Sequence, residues 1–193
     1  MPFNLPNALT WLRILLIPLF VAVFYLPDGW VPKHAINLTA TLIFALASIT
    51  DWLDGWLARR LNQMSAFGAF LDPVADKLMV AAALIVLVDL DRAGVDVALI
   101  IIGREIAISA LREWMAKLGR AGKVAVSFVG KLKTTAQMVA ILMLLYHDPI
   151  GSWPYTQTVG RWLLYLAAFL TLWSMLHYLL MAWKALKHEP AMH

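Results

Sequence analysis

The sequence predicts an all-α integral membrane protein, with six transmembrane helices forming a single domain over residues 1–193. Three observations predict it. The chain is 62% hydrophobic, only 15% charged, and has a mean hydropathy of +0.73, whereas ordinary globular domains are about 45–50% apolar and about 25% charged. Apolar runs near 20 residues recur, the length that crosses about 30 Å of hydrocarbon. These runs are continuous rather than alternating, so with no water to satisfy backbone groups they read as helices, not as barrel strands.

The spans are expected at roughly 8–26, 35–58, 68–89, 95–117, 125–146 and 157–183. Turn-forming segments separate them: "PDGWVPK", "DLDRAGVD", "KLGRAGK" and "HDPIGSWPYTQ". The first span lacks a basic leader and a clear small-residue cleavage site. It is therefore expected to be a retained helix and not a signal peptide. Orientation follows from Lys and Arg. Arg59, Arg60, Lys77, Arg112, Lys117, Arg120, Lys123, Lys131, Lys133, Lys184 and Lys187 fall on one side, and Lys33, Arg92 and Arg161 on the other. That bias puts both termini on the cytoplasmic side. The net charge of +4 fits basic loops against an anionic lipid surface, with no nucleic-acid partner. The absence of cysteine excludes disulfides, thiol nucleophiles and thiolate metal sites. The five histidines are scattered without metal-ligand spacing.

One stretch breaks the apolar pattern: "SITDWLDGWLARRLNQMSAFGAFLDPVADKLMV", residues 48–80. Asp51 and Asp54 are three apart and share a helix face. Gly68, Asp72 and Asp76 follow at four-residue steps and form one stripe of the next helix. Two antiparallel helices would bring the four carboxylates together near the cytoplasmic surface. Unpaired, they would repel and some would take up protons. Hard divalent cations relieve this, and an oxygen-only donor set suits Mg²⁺, Mn²⁺ or Ca²⁺. Two such ions make a clamp for in-line phosphoryl displacement. Gly55 and Gly68 leave room for a ligand against the helix faces, and Arg59 can meet a phosphate. The plainer alternative is helix capping, with Asp72 as N-cap and Pro73 at the first helical position. It accounts for one Asp and leaves the stripe unexplained.

The stretch from Asp51 to Asp76 meets every defined position of D-x₂-D-G-x₂-A-R-x₈-G-x₃-D-x₃-D: Asp51, Asp54, Gly55, Ala58, Arg59, Gly68, Asp72 and Asp76. In this it resembles the CDP-alcohol phosphotransferase family. The resemblance implies a six-helix membrane enzyme, a homodimer, that moves a phosphatidyl or related phospho-group from a CDP-linked donor to an alcohol and releases CMP. It implies that Asp51, Asp54, Asp72 and Asp76 hold two divalent ions, Mg²⁺ or Mn²⁺, with Asp76 also the general base. It assigns Asp54, Gly55, Ala58, Arg59 and Gly68 to the CDP site.

"PNALTWLRILLIP", "GREIAISALREW" and "GKLKTTAQM" extend the resemblance to bacterial members that join CDP-diacylglycerol to sn-glycerol 3-phosphate. This implies a multi-pass protein of the bacterial inner (cytoplasmic) membrane with its site facing the cytoplasm. The residues support a phosphorylated acceptor, which needs cations beyond those serving CDP. Arg104 and Arg112 share a face, Lys131 and Lys133 open the next span, and Thr10 and Arg13 lie one turn apart in the first. All six are candidates for the acceptor phosphate. Arg104 beside Glu105 can also be read as an internal pair, and Lys131 and Lys133 as ordinary membrane flanks. Other acceptors within the family, phosphatidylglycerol in cardiolipin formation or inositol phosphate, remain alternatives. A divalent-metal transporter is the alternative from another class. It would place acids near mid-bilayer in several spans, whereas here they gather at one end.

Overall fold

A computed structural model describes residues 5–27, 29–60, 66–118, 128–149, 151 and 153–187. Within these, the side chains of 5–7, 52, 54–59, 66–67, 69, 128–131 and 184–187 lie outside the described set. The described residues form six α-helices and no extended sheet: α1 Leu5–Ala22, α2 Lys33–Arg60, α3 Ala66–Asp89, α4 Val95–Lys117, α5 Phe128–Tyr146 and α6 Thr156–Lys187. A short 3₁₀ turn, Val23–Tyr25, extends α1. Each expected span overlaps one helix. Pro73 does not open α3, as the capping alternative required, but lies inside it. Asp72 is therefore a mid-helix side chain, available for a purpose other than capping.

Three helical stretches are long and apolar enough to cross a membrane, Ala8–Tyr25, Lys33–Asp51 and Thr156–Trp183, and α5 adds a shorter apolar stretch, Leu132–Tyr146. Helices α3 and α4 match them in length but carry Asp72, Asp76 and Lys77, and Arg104, Glu105, Arg112 and Glu113. The surface of the bundle is apolar, with Leu15, Leu19, Phe70, Leu99, Trp162, Phe169 and Trp173 all exposed. Its interior holds Thr10, Arg13, Arg104, Lys133, Gln137, Thr171 and Ser174. Polar groups inside and apolar ones outside suit a lipid surround, where burial must satisfy polar groups and hydrocarbon covers the rest.

The main core joins α1 to α6 through Phe20, Phe44, Leu84, Leu87, Ile101, Ile141 and Leu164. Fully buried Ala40, Ala83, Ala140 and Ala167 let helices approach closely. Helix α5 packs chiefly on α6, and α1 on α2 and α3. At Gly160 of α6, an added Cβ would lie 3.0 Å from Met143 Cβ and 3.1 Å from Leu144 Cγ of α5. Gly160→Val should therefore wedge α5 from α6 and lower stability by about 1–3 kcal/mol, read as earlier thermal unfolding in detergent. An unchanged midpoint would show that the seam yields.

The far end from the Asp-rich stretch is closed by Arg92, in the α3–α4 turn. Its guanidinium donates to the carbonyls of Leu144 (3.1 Å) and Leu145 (2.9 Å) and to Asn37 Oδ1 (2.8 Å). It thus satisfies carbonyls that the end of α5 leaves without intrahelical donors.

Candidate functional site

The site is built on the ends of α2 and α3, with α1 packed across them. Arg13 of α1 is buried, and its Nη1 donates to Asp51 Oδ1 of α2 at 2.6 Å. One turn earlier, Thr10 Oγ1 donates to Asp72 Oδ1 of α3. Thr10 and Arg13, expected to face an acceptor phosphate, are thus engaged with two of the carboxylates. The spacing that put them on one face of α1 now has a different reason: that face packs on the Asp stripe.

Asp51, Asp72 and Asp76 form one electrostatic group. Asp51 senses Asp72, and Asp76 senses Asp51 on one side and Glu105 of α4 on the other. Asp54, Gly55, Ala58 and Arg59 lie on α2, but their side chains are outside the described residues. Gly68 is buried on α3. Among the described residues no three of the acidic or histidine side chains converge as a ready-made metal site. The donor chemistry nevertheless fits hard divalent ions. Asp51, Asp72 and Asp76 are only partly buried and oxygen-only. Among the described residues Arg13 and Thr10 hydrogen-bond to Asp51 and Asp72, while Lys77 lies near Asp76.

The basic half lies on α4 and α5. Glu105 Oε1 accepts from Arg104 Nη1 at 2.7 Å and from Lys133 Nζ at 2.8 Å. Lys133 is 3% exposed and Arg104 8%. Two buried cations thus share one carboxylate, itself 28% exposed, which leaves a local excess of positive charge at the edge of the cavity described next. Arg104 Nη2 also donates to Ser174 Oγ of α6 at 3.2 Å, while its buried Nε has no acceptor among the described residues. Arg112, two turns on, lies over the Tyr178 ring of α6 at 5.3 Å. The side chain of Lys131 is outside the described residues.

A small cavity of about 80 Å³ joins the two halves, lined by Asp76, Lys77, Val80, Glu105, Thr134, Gln137 and Met138. Lys77 Nζ donates to Ser109 Oγ, and Ser109 donates to the Glu105 carbonyl at 2.7 Å. Thus α3 and α4 are tied beside the cavity. Sequence reasoning singled out neither Lys77 nor Gln137 as a site residue, and treated Glu105 only as a neighbour of Arg104. The signal for Gln137 was present: the lone amide of α5, four residues after Lys133 and just before the apolar run that ends the helix.

With this geometry, a sequence model of the CDP-alcohol phosphatidyltransferase family matches residues 3–173. The chain belongs to the CDP-alcohol phosphatidyltransferase family. Curated relatives over 181 residues cover 93% of this chain and 94% of theirs. They include the CDP-diacylglycerol–glycerol-3-phosphate 3-phosphatidyltransferases of Salmonella typhimurium, 52% identical, Shigella flexneri, 53%, and Escherichia coli K12, 52%. The matched family region takes in every element of the site, from Thr10 on α1 to Thr171 on α6, with Ser174 and Tyr178 just beyond its end.

Proposed function

We propose that this protein transfers the phosphatidyl group of CDP-diacylglycerol to sn-glycerol 3-phosphate, giving phosphatidylglycerophosphate and CMP. The observation that carries this reading is the Arg104–Glu105–Lys133 group beside the small cavity that Asp76 lines. Asp76 and Glu105 line one space, and Glu105 ties Lys133 and Arg104 to its edge. The relatives named for this reaction, matched over nearly their full length, support the same acceptor. An acceptor without a phosphate would leave the two buried cations with a single carboxylate.

In this mechanism Lys133 and Arg104 bind the acceptor phosphate, with Arg112 and Lys131 at the cytoplasmic approach. Binding holds the C1 hydroxyl toward Asp76. The carboxylate of Asp76 takes the hydroxyl proton as the oxygen attacks the lipid-bearing β-phosphorus. The bond from that phosphorus to the oxygen of CMP breaks, and CMP leaves in line. Asp51, Asp54, Asp72 and Asp76 would hold two divalent ions, Mg²⁺ or Mn²⁺, which supply charge neutralisation to the pyrophosphate and the leaving group. Arg13 and Thr10 orient Asp51 and Asp72 in this set. Gly55, Ala58, Arg59 and Gly68, with Asp54, form the CDP pocket. The family resemblance and the distribution of Lys and Arg support six spans in the bacterial inner membrane, with both termini and the site cytoplasmic. The chain acts as one domain over residues 1–193 and pairs as a homodimer.

The test is CMP release by purified protein with CDP-diacylglycerol and Mg²⁺ or Mn²⁺. We expect turnover with sn-glycerol 3-phosphate and none with glycerol, serine or inositol. Turnover with a phosphate-free acceptor, or only with phosphatidylglycerol, would overturn the acceptor. Metal uptake into vesicles without any CMP release would favour the transporter.

A further inference from the structure

Gln137 of α5 is 4% exposed, and its side-chain oxygen Oε1 is buried with no hydrogen-bond donor among the described residues. A buried amide left unpaired costs about 1–3 kcal/mol, so such a group calls for an explanation. Its position supplies one. Gln137 lines the cavity shared by Asp76 and Glu105. It stands one turn beyond Lys133 on the same face of α5, about 6 Å along the axis, and both residues are buried. The cavity, about 80 Å³, is the size of two or three waters at about 30 Å³ each. The glycerol end of an acceptor fits that scale, and the lipid donor does not.

We propose that Gln137 is a specificity-determining residue, whose Oε1 accepts a hydrogen bond from the C2 hydroxyl of the acceptor. This rests on the glycerol 3-phosphate reading above. Glu105 lines the cavity with Asp76 and Gln137 and holds Lys133 and Arg104 at its edge. With the phosphate drawn to those cations and the C1 hydroxyl at Asp76, the C2 hydroxyl faces the wall that Gln137 forms. Water fills the space between turnovers. An acceptor with the hydroxyl replaces that water in kind. An acceptor without it leaves the amide unpaired, which is how a buried polar group rejects a near-isostere.

The experiment uses the full chain in detergent with CDP-diacylglycerol and two acceptors, sn-glycerol 3-phosphate and 3-hydroxypropyl phosphate, which lacks only the C2 hydroxyl. Wild type should favour glycerol 3-phosphate about tenfold in kcat/KM, the scale of one buried hydrogen bond. In Gln137→Met, similar in length and without the acceptor atom, the two acceptors should converge, with the donor KM unchanged. Gln137→Asn, which keeps the amide but withdraws it, should fall between. A wild type that does not discriminate overturns the proposal without any variant. So does a tenfold preference retained in Gln137→Met, or an equal loss on both acceptors in that variant. CMP release from neither acceptor by wild type overturns the glycerol 3-phosphate reading itself, and this proposal with it. Release from both without preference overturns this proposal alone.

Discussion

Asp76→Asn is expected to lower CMP release about a thousandfold while leaving the protein folded. General-base catalysis contributes roughly 10²–10⁴ in rate, and Asp76, the proposed base, lines the cavity together with Glu105, the carboxylate that holds Lys133 and Arg104. The amide is nearly isosteric, so packing on α3 survives, but it cannot take a proton. The side chain is only partly buried and makes no ion pair among the described residues. The thermal unfolding midpoint should therefore match wild type, and the loss should fall in kcat more than in the acceptor KM. Activity within tenfold of wild type would remove Asp76 as the base. The same substitution at Asp72 tests a different role. That carboxylate is held by Thr10, and raised Mg²⁺ should recover more of its variant's activity than of the Asp76 variant's, which also lacks the base.

Lys133→Met should raise the acceptor KM by about ten- to a hundredfold, the scale of a hydrogen bond to a charged group, with the donor KM unchanged. Losing one partner of a buried ion pair usually costs about 3–5 kcal/mol, because the other charge is stranded. Here Glu105 keeps Arg104 at 2.7 Å, so the stability loss should be smaller and the enzyme assayable. Lys133→Arg keeps the charge but brings a wider, planar head into a space shaped for an ammonium. It should recover part of the affinity and less of the rate. A rise in donor KM in place of acceptor KM would move Lys133 to the CDP side of the site.

These two residues also mark how far sequence reasoning reached. Asp76 was legible because its partners are local. Asp51, Asp54, Asp72 and Asp76 fall within 26 positions, at helical spacings, and helix periodicity alone gives each pair a shared face of its own helix. The six helices were legible for a similar reason, since hydropathy over about 20 residues is a property of each segment by itself. The basic residues were legible only as a set of cations. Charge in an apolar chain flags Arg104 and Lys133, but not what they bind when no ligand is present.

The carboxylate stripes, the helices and the family were determined by the sequence itself, through spacings that short-range geometry converts directly into shared faces. The partners were decided by the tertiary structure. Thr10 meets Asp72 across 62 residues, Arg13 meets Asp51 across 38, and Lys133 meets Glu105 across 28. No local period relates those positions; they meet because α1 packs across α2 and α3, and because α4 and α5 both border the cavity at Asp76. The same packing turned Gln137 from the one amide of α5 into a buried acceptor without a donor among the described residues. Whether a polar side chain is paired depends on which other helix lies against it.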